Sequence, residues 1–547
     1  MKRVNGNPAA AAPAEASMAD KWYLRPEVKV EPLMNGWPVW PHLLPPLQYA
    51  MNLANRQLPN LKSFVASPWV HIAASEDPSM LGGPFVCLAE SDVPAVREMI
   101  NDIGERGSEL LTIASDFHEL DQKLQSAAKG HALDEFYGQV PASLRGMLEL
   151  TYDVNSHPRI RLFEELAYAK WKEHTIPLQE ICVHTMPASE RPFFMSTPLL
   201  KTPDREIMKM PFLDDSIDVL SRMRFSPLST EEIKRLLPAE LSTEANFERF
   251  FTTDVPMRNA PRYTGEGVRL RYFGHACVLV ETASMSLLID PLTAWEKDDA
   301  EATLTFADLP DHIDYMVLTH GHQDHLVPEM LLQLRSRIGE VIVPRNDAGS
   351  IADPSLKLIL KELGYRKITV VDPLDALPVP DGEITSLPFT GEHSGLDVQS
   401  KHCLLVKLFD RRFLFMADSD TADAQVFDLL SDTLGRIDVV FLGMECDGAP
   451  LTWLYGPLLS RQPSRREDES RKLSGSNFER AREAVGRIKP SRAYVYAMGQ
   501  EPWLRGLMGL QYTPESIQIT ESNKFVKHCM ENGMESERLY GCAELIL

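Results

Sequence analysis

The second half of the chain carries short apolar runs that recur at close spacing, a pattern typical of buried strands. Helical patterns lie between several of these runs, at residues 328–338, 355–363 and 477–488. This alternation predicts two sheets whose outer faces are covered by helices. The predicted strands lie at residues 268–273, 277–281, 286–289, 315–318, 341–343, 368–371, 402–409, 413–415, 439–442 and 493–496.

The first half of the chain has a mixed pattern of apolar positions. Helical spacing predicts helices at residues 93–103 and 107–128, whereas continuous apolar runs predict strands at 85–89 and 180–184. Together these segments predict an α+β domain at residues 22–255. The Ala/Pro-rich residues 1–21 lack the apolar content of a packed core, so we expect them to form a disordered extension.

Composition and charge narrow the classes of function. The 547 residues include 78 acidic and 56 basic side chains, and the formal net charge of −22 argues against a nucleic-acid partner because it repels phosphate. No apolar run reaches about 18 residues, so we expect no membrane association. Seven cysteines without a CxxC pair are typical of reduced thiols, and we therefore expect a cytoplasmic enzyme.

The densest cluster of metal-ligating residues follows the predicted strand 315–318. His320, His322, Asp324 and His325 stand within six positions, in the pattern H-x-H-x-D-H. Because a strand end leaves the backbone free to turn, these side chains can face two metal ions that lie about 3.5–4 Å apart. The spacing therefore predicts a binuclear metal centre.

Further ligand-type residues follow other apolar strands. Asp418 comes after the strand 413–415 and is the expected bridging ligand. Glu392 and His393 stand side by side after another apolar stretch and are alternatives for one ligand position. Asp290 also ends a strand, and we expect it to orient a metal ligand by a hydrogen bond rather than to bind metal itself.

In order and approximate spacing, these residues resemble the metallo-β-lactamase superfamily over residues 260–540. The resemblance implies an αββα sandwich at residues 262–547, with the metals at one edge of its sheets. Hydrolases of that superfamily usually add a histidine after a late strand, but here the strand 493–496 continues into Ala-Met-Gly-Gln. The missing nitrogen ligand and the presence of Glu392 shift the donors towards oxygen, which favours iron over zinc.

A narrower resemblance covers the whole chain. The H-G-H-Q-D-H cluster, the Gly-Glu-His segment at 391–393, the missing late histidine and the long N-terminal domain resemble the CmlA-type diiron β-hydroxylases of chloramphenicol and other nonribosomal-peptide pathways. This family implies two oxo-bridged iron ions per chain, O₂ as co-substrate and an external electron donor. The implied iron ligands are His320, His322 and Glu392 at one ion and Asp324, His325 and Asp418 at the other.

Glu392 and Asp418 are also the residues expected to act in catalysis. In the family pattern His393 is an outer neighbour of the metals, whereas in the hydrolase pattern it is the ligand and Glu392 the neighbour. The family pattern is preferred, with Glu392 as the ligand, but the two assignments remain alternatives at the level of the sequence.

The same resemblance implies a substrate and partners. The expected reaction is β-hydroxylation of an amino acid, L-p-aminophenylalanine in the chloramphenicol pathway, held as a thioester on a nonribosomal peptide synthetase carrier domain. The N-terminal domain would serve homodimerisation and substrate access. From the residues alone, Glu445 could line the substrate pocket or lie in a surface loop, and Trp453 and Tyr455 could stack on the substrate, although aromatic residues at such spacing are more often core residues. The basic segment 461–472 could meet an acidic carrier domain, unless its own acidic residues balance it.

The competing hypothesis is a binuclear zinc hydrolase of a thioester, lactone or phosphodiester, with a metal-bound hydroxide as the nucleophile. The feature that separates the two hypotheses is the absent late histidine together with Glu392.

Overall fold

The computed structural model describes residues 20–187, 190–257, 262–295 and 303–547. In its second half, two seven-stranded sheets pack face to face. In spatial order, the first sheet contains Ile368–Val371, Ile338–Pro344, Ile313–Val317, Ser286–Ile289, Val278–Glu281, Arg269–Tyr272 and Ala543–Ile546. The second contains Ala376–Val379, Gly382–Leu387, Cys403–Leu408, Arg411–Phe415, Val439–Gly443, Arg492–Tyr496 and Glu535–Arg538.

The inner faces of the two sheets share one apolar core. Alternate side chains of a strand point to the same face, so Leu270 and Val280 of the first sheet meet Val406 and Phe415 of the second. Phe415 also stacks on Phe441 with ring centroids 4.8 Å apart. Strands that are buried on both faces account for the continuous apolar runs in the sequence.

Helices cover the outer faces of the sandwich, which confirms the αββα architecture. On the second sheet, Ala481 and Phe525 of two helices pack against Val440 and Val495 of the strands beneath them. The α-helices of this half are Pro328–Leu334, Leu356–Glu362, Gln425–Leu429, Ser431–Leu434, Leu451–Tyr455, Arg465–Ser470, Phe478–Ile488, Arg505–Met508 and Ile517–Glu531.

The first half of the chain combines a four-stranded antiparallel sheet with a group of helices. The sheet has the order Trp37–Pro38, Lys29–Met34, Gln179–His184 and Arg205–Lys209, and Leu148–Tyr152 pairs separately with Pro158–Leu162. The helices are Pro46–Asn52, Leu58–Ala66, Pro68–Glu76, Val93–Arg106, Ser108–Ala127, Asp134–Tyr137, Glu164–Thr175, Asp215–Arg222, Thr230–Leu236 and Glu244–Phe250. None of the helices in the described ranges has the length and apolarity that a membrane crossing requires.

The two halves of the molecule share an extensive apolar interface. Trp37 and Tyr49 of the first half belong to the same buried cluster as Leu331 and Leu360 of the sandwich. All seven residues of the helix Pro328–Leu334 are buried, because one side faces the first sheet and the other faces the N-terminal half. The N-terminal half therefore acts as an additional layer over the first sheet.

One of the predicted elements is absent and another is shorter than predicted. Residues 85–89 form no strand, because side chains rather than a neighbouring strand satisfy their backbone: Val86 N donates to His71 Nδ1, and Cys87 N donates to Thr197 Oγ1. The helix predicted at 328–338 ends at Leu334, because the chain turns at residues 335–337 and enters the strand Ile338–Pro344. Of the predicted extension 1–21, residues 1–19 lie outside the described residues.

Candidate metal centre

Strands of both sheets end at one edge of the sandwich and carry the predicted ligands to a common place. The segment from His320 to His325 follows the strand Ile313–Val317 of the first sheet. Glu392 follows Gly382–Leu387 of the second sheet, and Asp418 follows its strand Arg411–Phe415. The fold therefore assembles in space residues that are nearly 100 positions apart in the sequence.

His320, His322 and Glu392 form the first group of potential ligands. The Nδ1 atom of His322 lies 2.7 Å from Glu392 Oε1, and His320 Nε2 lies 3.7 Å from Glu392 Oε2. All three side chains are buried. His320 Nε2 has no hydrogen-bond partner in the described part of the chain, as expected of a nitrogen placed to bind a cation.

The second group lies beside the first and shares His320. His325 Nε2 lies 2.9 Å from Asp418 Oδ2 and 3.7 Å from Asp324 Oδ2. His320 Nε2 lies 3.9 Å from the same oxygen of Asp418, so this carboxylate stands between the two groups. Its other oxygen, Oδ1, is buried without a hydrogen-bond partner among the described residues. Three imidazoles and three carboxylates at this spacing fit two metal ions.

Asp290 lies behind His325 rather than inside either group. Its Oδ2 lies 2.8 Å from His325 Nδ1 and accepts a hydrogen bond from Thr319 Oγ1, while its Oδ1 accepts one from Thr319 N. An acceptor at Nδ1 keeps a hydrogen on that nitrogen and leaves the Nε2 lone pair free for a metal. Tyr455 stands in a similar place behind the other group, with its hydroxyl 3.4 Å from His322 Nε2.

The structure places Glu392 and His393 differently. Glu392 points into the first group, whereas His393 belongs to no group of potential ligands among the described residues. The His393 ring packs on the His322 ring with centroids 4.4 Å apart, and its Nδ1 lies 3.3 Å from the Gly391 carbonyl oxygen. This geometry favours Glu392 as the ligand and His393 as its neighbour.

The acids and bases of the site change one another's proton affinity. Burial raises the pKa of Glu392 to about 7, although His322 opposes the shift. Burial lowers the pKa of His320 well below its usual value. For His325 burial acts in the same direction, but the carboxylates around it, Asp418 foremost, raise its pKa well above the usual value. Metal binding at His325 therefore has to displace a proton, whereas His320 is favoured in its neutral form, which is the form that binds metal.

The backbone around the site is strained. Asp290, Glu392 and Ala417, together with His275 and Ala497, have positive φ angles between 42° and 68°, which non-glycine residues rarely adopt. Each such residue costs on the order of 1–3 kcal/mol, and such residues persist where the surrounding structure holds them in a functional arrangement. Each of them lies in an interstrand turn or in a segment that leaves a strand at the metal-binding edge.

His275 is the residue that the sequence analysis missed, and together with Asp324 and His325 it forms a third group of potential ligands. It lies in the turn between the strands Arg269–Tyr272 and Val278–Glu281, is fully buried, and has its Nε2 3.0 Å from Asp324 Oδ2. The only signal in the sequence was a single histidine between two apolar runs, which by itself is more often a core residue.

A pocket of about 610 Å³ opens onto both groups. Glu445 and Trp453 line it, as expected, but Tyr455 lies in the protein core behind His322. The loop 79–85 of the N-terminal half forms another part of the wall, where the Gly82 carbonyl oxygen accepts a hydrogen bond from Trp453 Nε1. A side chain at Gly82 would not fit, because its Cβ would lie 2.7 Å from the Gly509 carbonyl oxygen.

The basic segment 461–472 is largely neutralised by its own neighbours. Its ion pairs are Arg461 with Glu467, Arg465 with Glu469, and Lys472 with Asp447. The segment therefore offers less free positive charge than its composition suggests.

Comparison with known proteins agrees with this geometry along the whole chain. Residues 23–255 match the family described as "diiron non-heme beta-hydroxylase N-terminal domain", and residues 270–467 match the metallo-β-lactamase superfamily. A 4-amino-L-phenylalanyl-[CmlP-peptidyl-carrier-protein] 3-hydroxylase from Streptomyces venezuelae is 33% identical over 526 residues, which are 95% of this chain and 98% of that protein.

A solved structure is similar to the same extent. The crystal structure of CmlA, a diiron β-hydroxylase from Streptomyces venezuelae, has a TM-score of 0.89 at 34% sequence identity, and the match covers 96% of this chain and 100% of that one. Both the family resemblance and the fold expected from the sequence are thus confirmed. The chain belongs to the CmlA-type diiron β-hydroxylases, oxidoreductases that carry two iron ions in a metallo-β-lactamase fold.

Proposed function

We propose that this enzyme is an O₂-dependent monooxygenase that hydroxylates the β-carbon of an amino acid held as a thioester on a peptidyl carrier domain. The similar Streptomyces venezuelae enzyme is named for a 4-amino-L-phenylalanyl group on such a carrier, and the similarity extends over 98% of its length. We therefore propose L-p-aminophenylalanine as the aminoacyl group, within a chloramphenicol-type pathway.

We assign His320, His322 and Glu392 to one iron and Asp324, His325 and Asp418 to the other. Each ion would then have histidine and carboxylate ligands with positions left open, an arrangement that suits non-haem iron. Two iron ions held there would supply the activation of O₂. One oxygen atom enters the C–H bond and the other leaves as water, which consumes two electrons and two protons from an external reductant.

The surrounding residues keep the ligands in place. Asp290 holds His325 through Nδ1, and Thr319 in turn donates two hydrogen bonds to Asp290. Tyr455, fully buried, stands against the outer nitrogen of His322. Such outer contacts fix the orientation of each imidazole before a metal arrives, so less order is lost on binding.

The pocket fits a substrate that carries both an apolar ring and an amino group. Trp453 supplies an aromatic wall. Glu445 is a carboxylate outside both ligand groups, and its Oε1 accepts a hydrogen bond from Tyr512 at 3.0 Å. We assign Glu445 the role of receiving the α-ammonium group of the aminoacyl thioester, which is free because only the carboxyl group is bound to the carrier.

The N-terminal half contributes the loop 79–85 to the pocket wall, which supports a role in substrate access. Its role in a homodimer, the use of an external electron donor and a cytoplasmic location remain predictions from the sequence.

The observation that carries this proposal is the position of Glu392, which gives the site three carboxylates and three histidines. Metal analysis with an optical spectrum tests it directly. We expect two iron ions per chain and the near-ultraviolet absorption of oxo-bridged ferric iron. Two zinc ions per chain without that absorption would instead favour the hydrolase hypothesis.

A turnover assay tests the substrate. The reduced enzyme is mixed with O₂ and either p-aminophenylalanyl carrier protein, phenylalanyl carrier protein or free p-aminophenylalanine. We expect a mass increase of one oxygen atom on the p-aminophenylalanyl carrier only. Equal reaction of the free amino acid would refute the requirement for a carrier.

A further inference from the structure

His275 is held in one orientation by three contacts with the late segment of the chain. Its backbone N donates to Glu501 Oε1 at 3.2 Å, and its carbonyl oxygen accepts from Ala497 N at 2.8 Å. The imidazole Nδ1 accepts a hydrogen bond from Gly499 N at 3.1 Å. These contacts hold a backbone with φ of +50°, which would otherwise be unfavourable.

The partners of His275 lie where the hydrolases usually carry their late histidine. Ala497 and Gly499 directly follow the strand Arg492–Tyr496, the predicted place of that missing ligand. In this chain the same place is occupied by backbone that turns towards the interstrand turn at residues 273–277. The imidazole nearest to Asp324 is thereby supplied from the other sheet.

The hydrogen bond from Gly499 decides which nitrogen of His275 carries the hydrogen. A nitrogen that accepts N–H must present its lone pair, so the hydrogen of neutral imidazole lies on Nε2. Nε2 lies 3.0 Å from Asp324 Oδ2, but the two groups are not aligned as a hydrogen bond, and Nε2 has no hydrogen-bond partner among the described residues. A metal bound at Nε2 would require a hydrogen on Nδ1, directly against the N–H of Gly499.

We propose that His275 is a positioning residue that donates Nε2–H to Asp324 and turns that carboxylate towards the second metal, and that it is not itself a ligand. The inference rests on the ligand set of the proposed function and deepens it. It explains how the second metal site keeps a fixed aspartate without the late histidine of the hydrolases. At the second metal site, a hydrogen bond orients the Asp324 carboxylate, whereas the hydrolases add a histidine ligand at that metal.

Proton NMR of the Co(II)-loaded protein distinguishes a ligand from a donor. A metal-bound imidazole keeps one N–H on its outer nitrogen, and this proton gives a hyperfine-shifted signal that disappears in D₂O. We expect three such signals, from His320, His322 and His325. A fourth signal that is lost in the variant His275→Gln would overturn the proposal. The count needs neither iron nor turnover, so it stays separate from a failure of the proposed hydroxylase function.

Metal affinity in matched variants tests the strength of the effect. In His275→Leu we expect the affinity for the second metal to fall about tenfold to hundredfold, the range found when an outer partner of a ligand is removed. His275→Gln retains a side-chain N–H donor and should recover most of this loss.

His402 provides the control, because it is equally buried and hydrogen-bonds Ser386 and the Leu318 carbonyl oxygen but no carboxylate. His402→Leu should retain the affinity of the unmodified protein for both metals. If His275→Leu also binds both metals with that affinity, the positioning role is refuted. A loss that is the same in the Leu and Gln variants at position 275 would refute the role of the N–H donor.

Discussion

Replacement of Asp290 by asparagine removes the acceptor behind His325 with almost no change in size. The carboxylate accepts from Thr319 N through Oδ1, and from Thr319 Oγ1 and His325 Nδ1 through Oδ2. An amide has only one acceptor oxygen. In one orientation its NH₂ group faces the hydrogen on His325 Nδ1, and in the other it faces the N–H of Thr319. Each orientation therefore creates a contact between two donors.

The magnitude follows from the burial of this contact. Asp290 and His325 are fully buried, so a donor left without an acceptor there costs about 1–3 kcal/mol. His325 can escape the clash by moving its hydrogen to Nε2, but that removes the lone pair needed by the metal. Both routes predict a loss of roughly tenfold to hundredfold in affinity for the second metal, with the first site less affected.

Competition with a calibrated chelator, followed at two metals per chain, measures this loss. Asp353→Asn is the control, since Asp353 is also buried and accepts hydrogen bonds from Gln399 and Ser400 but belongs to no ligand group. We expect the control to bind both metals normally. Unchanged affinity of Asp290→Asn for the second metal would refute the reasoning that this carboxylate fixes His325.

Three further predictions address the site and the domain interface. Glu392→Ala should lower the iron content and abolish hydroxylation, whereas His393→Ala should retain two metals per chain. Loss of metal from His393→Ala, with two metals retained in Glu392→Ala, would make His393 the ligand. Glu445→Gln should raise KM for the aminoacyl carrier without changing the metal content, and an unchanged KM would contradict its contact with the substrate. Glu164 accepts a hydrogen bond from Ser355 N across the interface, and burial raises its pKa from 4.5 to about 7. The folded state binds the proton of the Glu164 carboxyl more tightly than the unfolded state does, so the ionised carboxylate destabilises the fold increasingly from pH 4.5 to 7, by up to about 3 kcal/mol. Glu164→Gln should therefore raise Tm at pH 8 but not at pH 4.5. Equal shifts in Tm at both pH values would refute this.

The strands of the sandwich could be predicted because their burial leaves a direct trace in the sequence. Every residue of Ser286–Ile289 and Val278–Glu281 is buried, and each strand contains three consecutive apolar residues. The ligand cluster from His320 to His325 could be predicted for a related reason. Its members follow a single strand, so their spacing along the chain already limits how they can face a metal.

Contacts that depend on distant segments left no such trace. The loop at residues 85–89 has the composition of a strand, yet His71 and Thr197 satisfy its backbone from elsewhere in the fold. Tyr455 is an aromatic residue that could have stacked on the substrate, but the packing of the first half against the sandwich places it behind His322.

The sequence by itself determined the α+β and αββα halves, the residues that can bind metal and the shift of their chemistry towards oxygen donors. It did so because strand periodicity and ligand spacing are local properties of the chain. Only the tertiary structure distinguishes the positions of Glu392 and His393, and it favours Glu392 as the ligand, since the two are neighbours in sequence and a strained loop turns them in different directions. It alone also revealed His275, whose contact with Asp324 joins two strand ends that lie about 50 residues apart.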